Sequence, residues 1–181
     1  MTSTRLPLDD MAKRHTGLTP EIAAVYHQAA CVCLDRHHTP PTEFNVQKGN
    51  RRDLRVRVEW AVTDERARNA WSNSIDATEA AAYAVALAAT ELMDGLVAIR
   101  RAETGTGADY YVGTAGTSAD DLEACLRLEV SGVDKGPVSV VAQRLREKLD
   151  QTRYGNSNLP AMAGVVGFKA KLVMLEHVGV P

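Results

Sequence analysis

Two short stretches of this chain carry residues that could do chemistry together. "ETGTGADYYVG" sets Asp109 behind Gly105 and Gly107 and directly ahead of the apolar Tyr110, Tyr111 and Val112. "LRLEVSG" sets Glu129 inside an alternating run, where Leu126, Leu128 and Val130 point one way and Arg127, Glu129 and Ser131 the other. Hard divalent cations such as Mg²⁺ take oxygen ligands, typically one or two carboxylates completed by water and phosphate oxygens. An ion held by Asp109 and Glu129, with the Val130 carbonyl as a further ligand, could polarise a phosphodiester and lower the pKa of an attacking water. The same ion would relieve repulsion between the two carboxylates.

Positioning these residues requires a particular order of elements. Asp76 or Thr78 opens an alanine-rich helix through "EAAAYAVALAATELM", with Glu79 in its first turn and Gly95 as its stop. Strands are expected at "LVAIRRA", "ADYYVG" and "ACLRLEVSG", with "GTAGTSADD" looping between the last two. Pro137 opens a helix whose Val138, Val141, Leu145 and Leu149 keep helical spacing, and "AMAGVVGF" and "KLVMLEHV" follow as one long or two short strands. Before this unit, Thr19 caps a helix in "TPEIAAVYHQAACVCLDRHH", and Pro40 and Pro41 end it. A hairpin turning at Lys48, Gly49 and Asn50 and a short helix capped by Thr63 or Asp64 come next. Residues 1–18 read as a loose tail.

From residue 76 the order helix, three strands, helix, strand, with an acid on the first helix, a Gly-rich approach to an Asp and a Glu in the next strand, resembles the PD-(D/E)XK nuclease superfamily. That family includes restriction endonucleases and Holliday-junction resolvases. The resemblance covers about residues 76–175. It implies an α/β (α+β) fold with a restriction endonuclease-like α-β-β-β-α-β core, here extended by the N-terminal helix and β-hairpin of residues 19–75. It implies Mg²⁺ or Mn²⁺ bound by Asp109 and Glu129, with Glu79 as the helix acid, and DNA as substrate, in defence or repair. The family's lysine, two residues after the Glu, is replaced by Ser131, whose hydroxyl cannot supply the missing positive charge. Lys135 or Lys148 could reach in as a substitute, since members relocate this residue. Gln151 and Tyr154 stand near where some members carry a glutamine and tyrosine pair, at a shorter spacing. The alternative is a catalytically inactive nuclease-fold module that binds nucleic acid or serves assembly.

Each residue also has a plainer reading. Glu79 could merely complement the helix dipole, Asp109 be a turn residue, and Glu129 face solvent at an edge. His27, Cys31, Cys33, Asp35, His37 and His38 suggest zinc, but Cys31 and Cys33 point about 200° apart on a helix, so buried cysteines and surface histidines are expected. Arg51, Arg52, Arg55 and Arg57 form a basic stripe that could track a phosphate backbone or simply be solvated. A third reading is an unrelated α+β domain whose Cys and His helix face meets a partner. "Gly105-Thr106-Gly107" precedes a strand and so is no nucleotide cradle. No nucleophilic triad is visible.

Composition bounds these readings. With 181 residues, 45% hydrophobic and 24% charged, the chain suits one domain. A net charge of −2 excludes whole-molecule attraction to polyanions, so any DNA site must be local. Three cysteines and the lack of an apolar segment after the N-terminus point to the cytoplasm, and no run approaches the roughly 20 apolar residues of a membrane span. Besides DNA, a homodimer or larger assembly is compatible with this pattern.

Overall fold

The computed structural model describes residues 4–49 and 52–178. In chain order its elements are β1 (Thr4–Arg5), α1 (Met11–Arg14), α2 (Pro20–Asp35), β2 (Thr42–Lys48), β3 (Arg52–Val58), α3 (Glu65–Ala70), α4 (Ser74–Asp94), β4 (Leu96–Arg101), β5 (Tyr110–Thr114), β6 (Leu126–Val133), α5 (Val138–Arg153), β7 (Ala161–Gly167) and β8 (Leu172–His177). The result is a mixed α/β fold built on one eight-stranded sheet of order β1-β3-β2-β8-β7-β6-β5-β4. Antiparallel ladders join β4 to β5 and β5 to β6, after which α5 crosses over so that β7 lies parallel to β6. The β2/β3 hairpin extends the sheet by pairing β2 parallel to β8. Among the described residues no helix is long and apolar enough to cross a membrane.

Helix α4 is the spine of the molecule. Asn73 caps it by accepting the Ile75 and Asp76 amides, so it starts earlier than the Asp76 or Thr78 read from the sequence, and Glu79 falls beyond its first turn. Its alanines allow close approach on two sides, α2 on one and the sheet on the other. At Gly132 in β6 a Cβ would lie 2.7 Å from both the carbonyl oxygen and Cγ2 of Thr78, so only glycine admits the helix there. The other face of the sheet is covered by α5, whose Val141 and Leu145 pack with Val133, Ala163, Val165 and Leu172. Residues of β6 therefore alternate as expected: Leu128 and Val130 join the α4 side, while Val133 faces α5.

Residues 4–18 do not form the loose tail that their unpatterned sequence suggests. Leu6, Leu8, Met11 and Leu18 are buried in the main core. β1 pairs parallel with β3, while Gly17 donates to the Ala98 carbonyl of β4, so one short segment hydrogen-bonds to strands at opposite ends of the sheet. It satisfies edge groups that would otherwise be bare. His15 anchors it: Nδ1 accepts the Ala98 amide at 2.9 Å, and Nε2–H donates to Glu91 at 3.0 Å.

The histidines at the end of α2 are not surface groups either. His37 bonds Asp134 at 2.9 Å, and His38 Nε2 donates to the Phe168 carbonyl at 2.7 Å, tying α2 to the far end of β6 and β7. Cys31, Cys33 and Cys125 are free and buried, and burial pushes the Cys31 and Cys33 thiols up to about 11.

Burial, opposed by Glu91, lowers the His15 pKa below 6.5 and keeps the ring neutral. The unfolded chain then binds the extra proton as pH falls, so the His15 contribution is complete above its unfolded pKa of about 6.5 and is lost below it. We expect thermal stability to fall between about pH 7 and pH 5, and less steeply in His15→Asn, which should cost about 1–3 kcal/mol at neutral pH.

Candidate active site

The β5/β6 ladder ends at Tyr110 opposite Leu128, with Asp109 N–H still donating to the Leu128 carbonyl at 2.8 Å. Beyond that point the chain before Asp109 turns away from β6. On β6, Arg127 N and Val133 O bond toward β7, so Leu128 and Val130 turn their backbone groups toward β5. With no strand opposite it, the Val130 amide donates to Asp109 Oδ2 at 2.8 Å, and the Val130 carbonyl faces the same gap. The register also brings Glu129 to the level of Asp109, on the α5 side.

The Gly-rich segment that delivers Asp109 is clamped from behind. Gly107 and Gly155 pack against each other, and a Cβ on Gly155 would lie 2.1 Å from the Thr106 carbonyl oxygen. Arg127, nearly buried on β6, donates to the carbonyls of Thr106 at 2.5 Å and Leu159 at 3.1 Å, and Asn156 N bonds the Gly105 carbonyl. The glycines thus serve close approach of two loops, which fixes where Asp109 emerges.

From the other wall of the cleft, Lys148 on α5 places Nζ 2.7 Å from Glu129 Oε1 and 3.2 Å from Gln151 Oε1. The Glu129 side chain is only 8% exposed and that of Lys148 19%. Burial raises the Glu129 pKa, the Asp109 carboxylate raises it further, and Lys148 opposes both. Tyr83 of α4 supplies the third wall. Its hydroxyl lies 3.2 Å from Glu79 Oε1 and 3.0 Å from Asp109 Oδ1, so one phenolic proton serves two carboxylates. Burial raises the Tyr83 pKa and keeps that proton in place. Arg101 donates to both Tyr83 Oη and Asp109 Oδ1 while stacking on the rings of Tyr83 and Tyr110, 4.6 and 4.8 Å from their centroids.

These groups line a cleft of about 650 Å³ between α4 and α5, whose walls include Glu79, Asp109, Glu129, Ser131, Lys135 and Lys148. A second groove of about 450 Å³ meets it at Asp109 and Glu129 and carries Arg101, Gln151 and Tyr154. Asp109, Glu129, Val130, Lys148, Ser131, Lys135 and Glu79 are therefore gathered in one place, Lys135 on the exposed rim. Glu79 meets Asp109 through the Tyr83 hydroxyl, which bonds both carboxylates. Among the described residues no three His, Cys, Asp or Glu side chains group closely enough to hold a metal by themselves, and this includes the α2 cysteines and histidines. Asp109 and Glu129 can offer two ligands and the Val130 carbonyl a third, a donor set that suits Mg²⁺ or Mn²⁺ completed by water and phosphate oxygens. Burial first and the Asp109 carboxylate second disfavour a charged Glu129, and a bound cation would offset both.

The basic stripe does not join this cleft. Arg51 and the Arg52 side chain lie outside the described residues. Arg55 and Arg57 face away from the core and are paired with Glu43 at 3.7 Å and Glu59 at 2.5 Å. Four strand spacings, about 19 Å, and helix α5 separate β3 from β6.

Tyr83, Arg101 and Arg127 were not among the residues singled out from the sequence. Arg127 carried a signal, since it shares the strand face of Glu129; Tyr83 and Arg101 become partners of Asp109 only through the packing of α4 against β4 and β5.

Asp109→Ala should lose about 1–3 kcal/mol in chemical denaturation because the Val130 amide loses its acceptor, whereas Glu129→Gln should lose little. Both should abolish the heat of Mn²⁺ binding in calorimetry, and unchanged binding in either would put the metal elsewhere. Arg127→Met should speed amide exchange in residues 103–108 and weaken Mn²⁺ binding while both candidate ligands remain, because the clamp on the loop is gone.

No family model matches the chain, and neither a curated protein nor a solved structure does, so the reading of this site rests on its own geometry.

Proposed function

We propose that the chain is a divalent-metal-dependent nuclease of the PD-(D/E)XK type, acting on DNA phosphodiester bonds. The observation that carries this reading is the Lys148 ammonium, 2.7 Å from Glu129 in the cleft that also holds Asp109. Ser131 leaves the motif without its cation, and Lys148 supplies one from the neighbouring helix. The order of elements from α4 to β7 supports the restriction endonuclease-like core.

Asp109, Glu129 and the Val130 carbonyl would hold Mg²⁺ or Mn²⁺, which when bound supplies Lewis-acid polarisation of a phosphate oxygen and a water of lowered pKa. Lys148 has three donors; two engage Glu129 and Gln151, leaving the third to orient a water or offset phosphate charge. Arg101 and Tyr83 hold Asp109 in one orientation, and Glu79 accepts a hydrogen bond from the Tyr83 hydroxyl at the cleft wall. Lys135, exposed on the rim, is suited to an incoming phosphate.

A second reading, a catalytically inactive nuclease-fold module for DNA binding or assembly, draws on Ser131 and on the lack of a three-acid cluster among the described residues. Cleavage assays separate the two. The parent should cut DNA in Mg²⁺ or Mn²⁺, Lys148→Ala should lower the rate by about 10² to 10³-fold, and Ser131→Ala should change it little. A parent that cuts no DNA form in either metal yet binds DNA in a salt-dependent way would replace the nuclease by the binding module.

A further inference from the structure

The two grooves that meet at Asp109 and Glu129 hold a concentration of exposed apolar side chains that the fold does not explain. Among the described residues, the large apolar side chains left in solvent include Ile75 and Val140, which line the first groove, and Tyr154, which lines the second. Val138 is exposed in the same first turn of α5. Ile75 and Tyr154 are 76% and 87% exposed. They come from three places on two helices, the start of α4, the start of α5 and the residue that ends α5, yet all border the two grooves that meet at Asp109 and Glu129. Cations share these linings: Lys135 and Arg144 the first groove with Ile75 and Val140, and Arg101 the second with Tyr154.

We propose that the substrate strand in this path is unpaired DNA, its bases resting on Ile75, Val140 and Tyr154 on either side of a phosphate that faces the Lys148 ammonium beside Asp109 and Glu129. This rests on the nuclease reading of the same site. Phosphates gain nothing from isoleucine or valine, whereas base faces do gain from apolar and aromatic surfaces, which is how proteins hold single strands. In a duplex those faces are hidden in the stack. The depth of the site argues the same way. Glu129 lies on the floor between α4 and α5, so a phosphate must descend between two helices to reach it. A flexible single strand bends into such a path freely, while a stiff duplex must first be unstacked or unpaired. The exposed apolar rim and the recessed acids thus select for the same form of DNA.

Fluorescence anisotropy tests this with a labelled single strand of about 20 nucleotides and the same sequence as a blunt duplex, both in EDTA so that binding is read without cleavage. We expect the single strand to bind about tenfold more tightly. The double variant Ile75→Ser/Val140→Ser and the single variant Tyr154→Ala should each weaken single-strand binding about fivefold or more, leave duplex binding unchanged and melt like the parent, since these side chains are on the surface. Duplex binding equal to or tighter than single-strand binding, or variants that bind the single strand like the parent, would overturn the inference. If DNA is cut in Mg²⁺ without that preference, the nuclease reading stands and this inference falls. If the single strand is preferred but nothing is cut in Mg²⁺ or Mn²⁺, the strand assignment stands and the nuclease reading falls.

Discussion

The hydrogen bond from the Val130 amide to the Asp109 carboxylate is the contact on which the site depends. Where β5 leaves β6, a buried strand amide would otherwise lose its partner, and leaving such a group unpaired costs more than the bond itself contributes. A side-chain carboxylate takes the place of a missing backbone acceptor. That substitution lets the sheet open at this point without penalty, and the opening is the cleft. The carboxylate at the head of β5 is thus both a structural acceptor and a candidate ligand, with Oδ2 committed to the backbone and Oδ1 turned toward Tyr83 and Arg101.

Around that opening, charge is kept where burial disfavours it. Glu129 is nearly buried beside a second carboxylate, and its proton affinity rises accordingly. Lys148 is the counterweight, carried by α5 at the position that continues the stripe of Val141 and Leu145 toward Thr152. A lysine there gives up packing surface to place an ammonium on an acid, a choice that a purely structural helix face would not need. Arg101, stacked on two tyrosines, compensates Asp109 in the same way from the opposite side. Glu129 and Asp109 are therefore each matched by one cation, from opposite walls of the cleft.

Rigidity comes from the spine and its wrappings. The alanines of α4 let α2 and the sheet approach closely, Gly132 marks the tightest contact, and residues 4–18 tie strands near both ends of the sheet. The second long helix, α5, holds the other face through Val141 and Leu145. The two helices that form the cleft walls are thus each fixed to β6, the strand that carries Glu129, so the distance between walls and floor is set by core packing.

Periodicity by itself determined the elements that matter most. The alternation in "LRLEVSG" assigned Leu128 and Val130 to one side and Glu129 to the other, because a strand has a period of two whatever surrounds it. The alanine-rich helix, the helix after Pro137 and the order of elements were legible for the same local reason. Asp109 and Glu129 stood out because carboxylates beside apolar strand residues are costly unless something uses them. Other features were decided only by tertiary structure. The start of α4 moved to Ser74 because Asn73 could cap it, and the residues before Thr19 became part of the core because isolated leucines carry no period yet fill space against a completed sheet. Between Lys135 and Lys148, both open by sequence distance, it is Lys148 that meets Glu129, because Val141 and Leu145 on the same side of α5 pack against Val133 and Val165 of the sheet. The roles of Tyr83, Arg101 and Arg127 have a related origin: Tyr83 and Arg101 meet Asp109 only once α4 packs on the sheet and β4 pairs with β5, and Arg127 holds the Thr106 carbonyl of the loop that delivers Asp109.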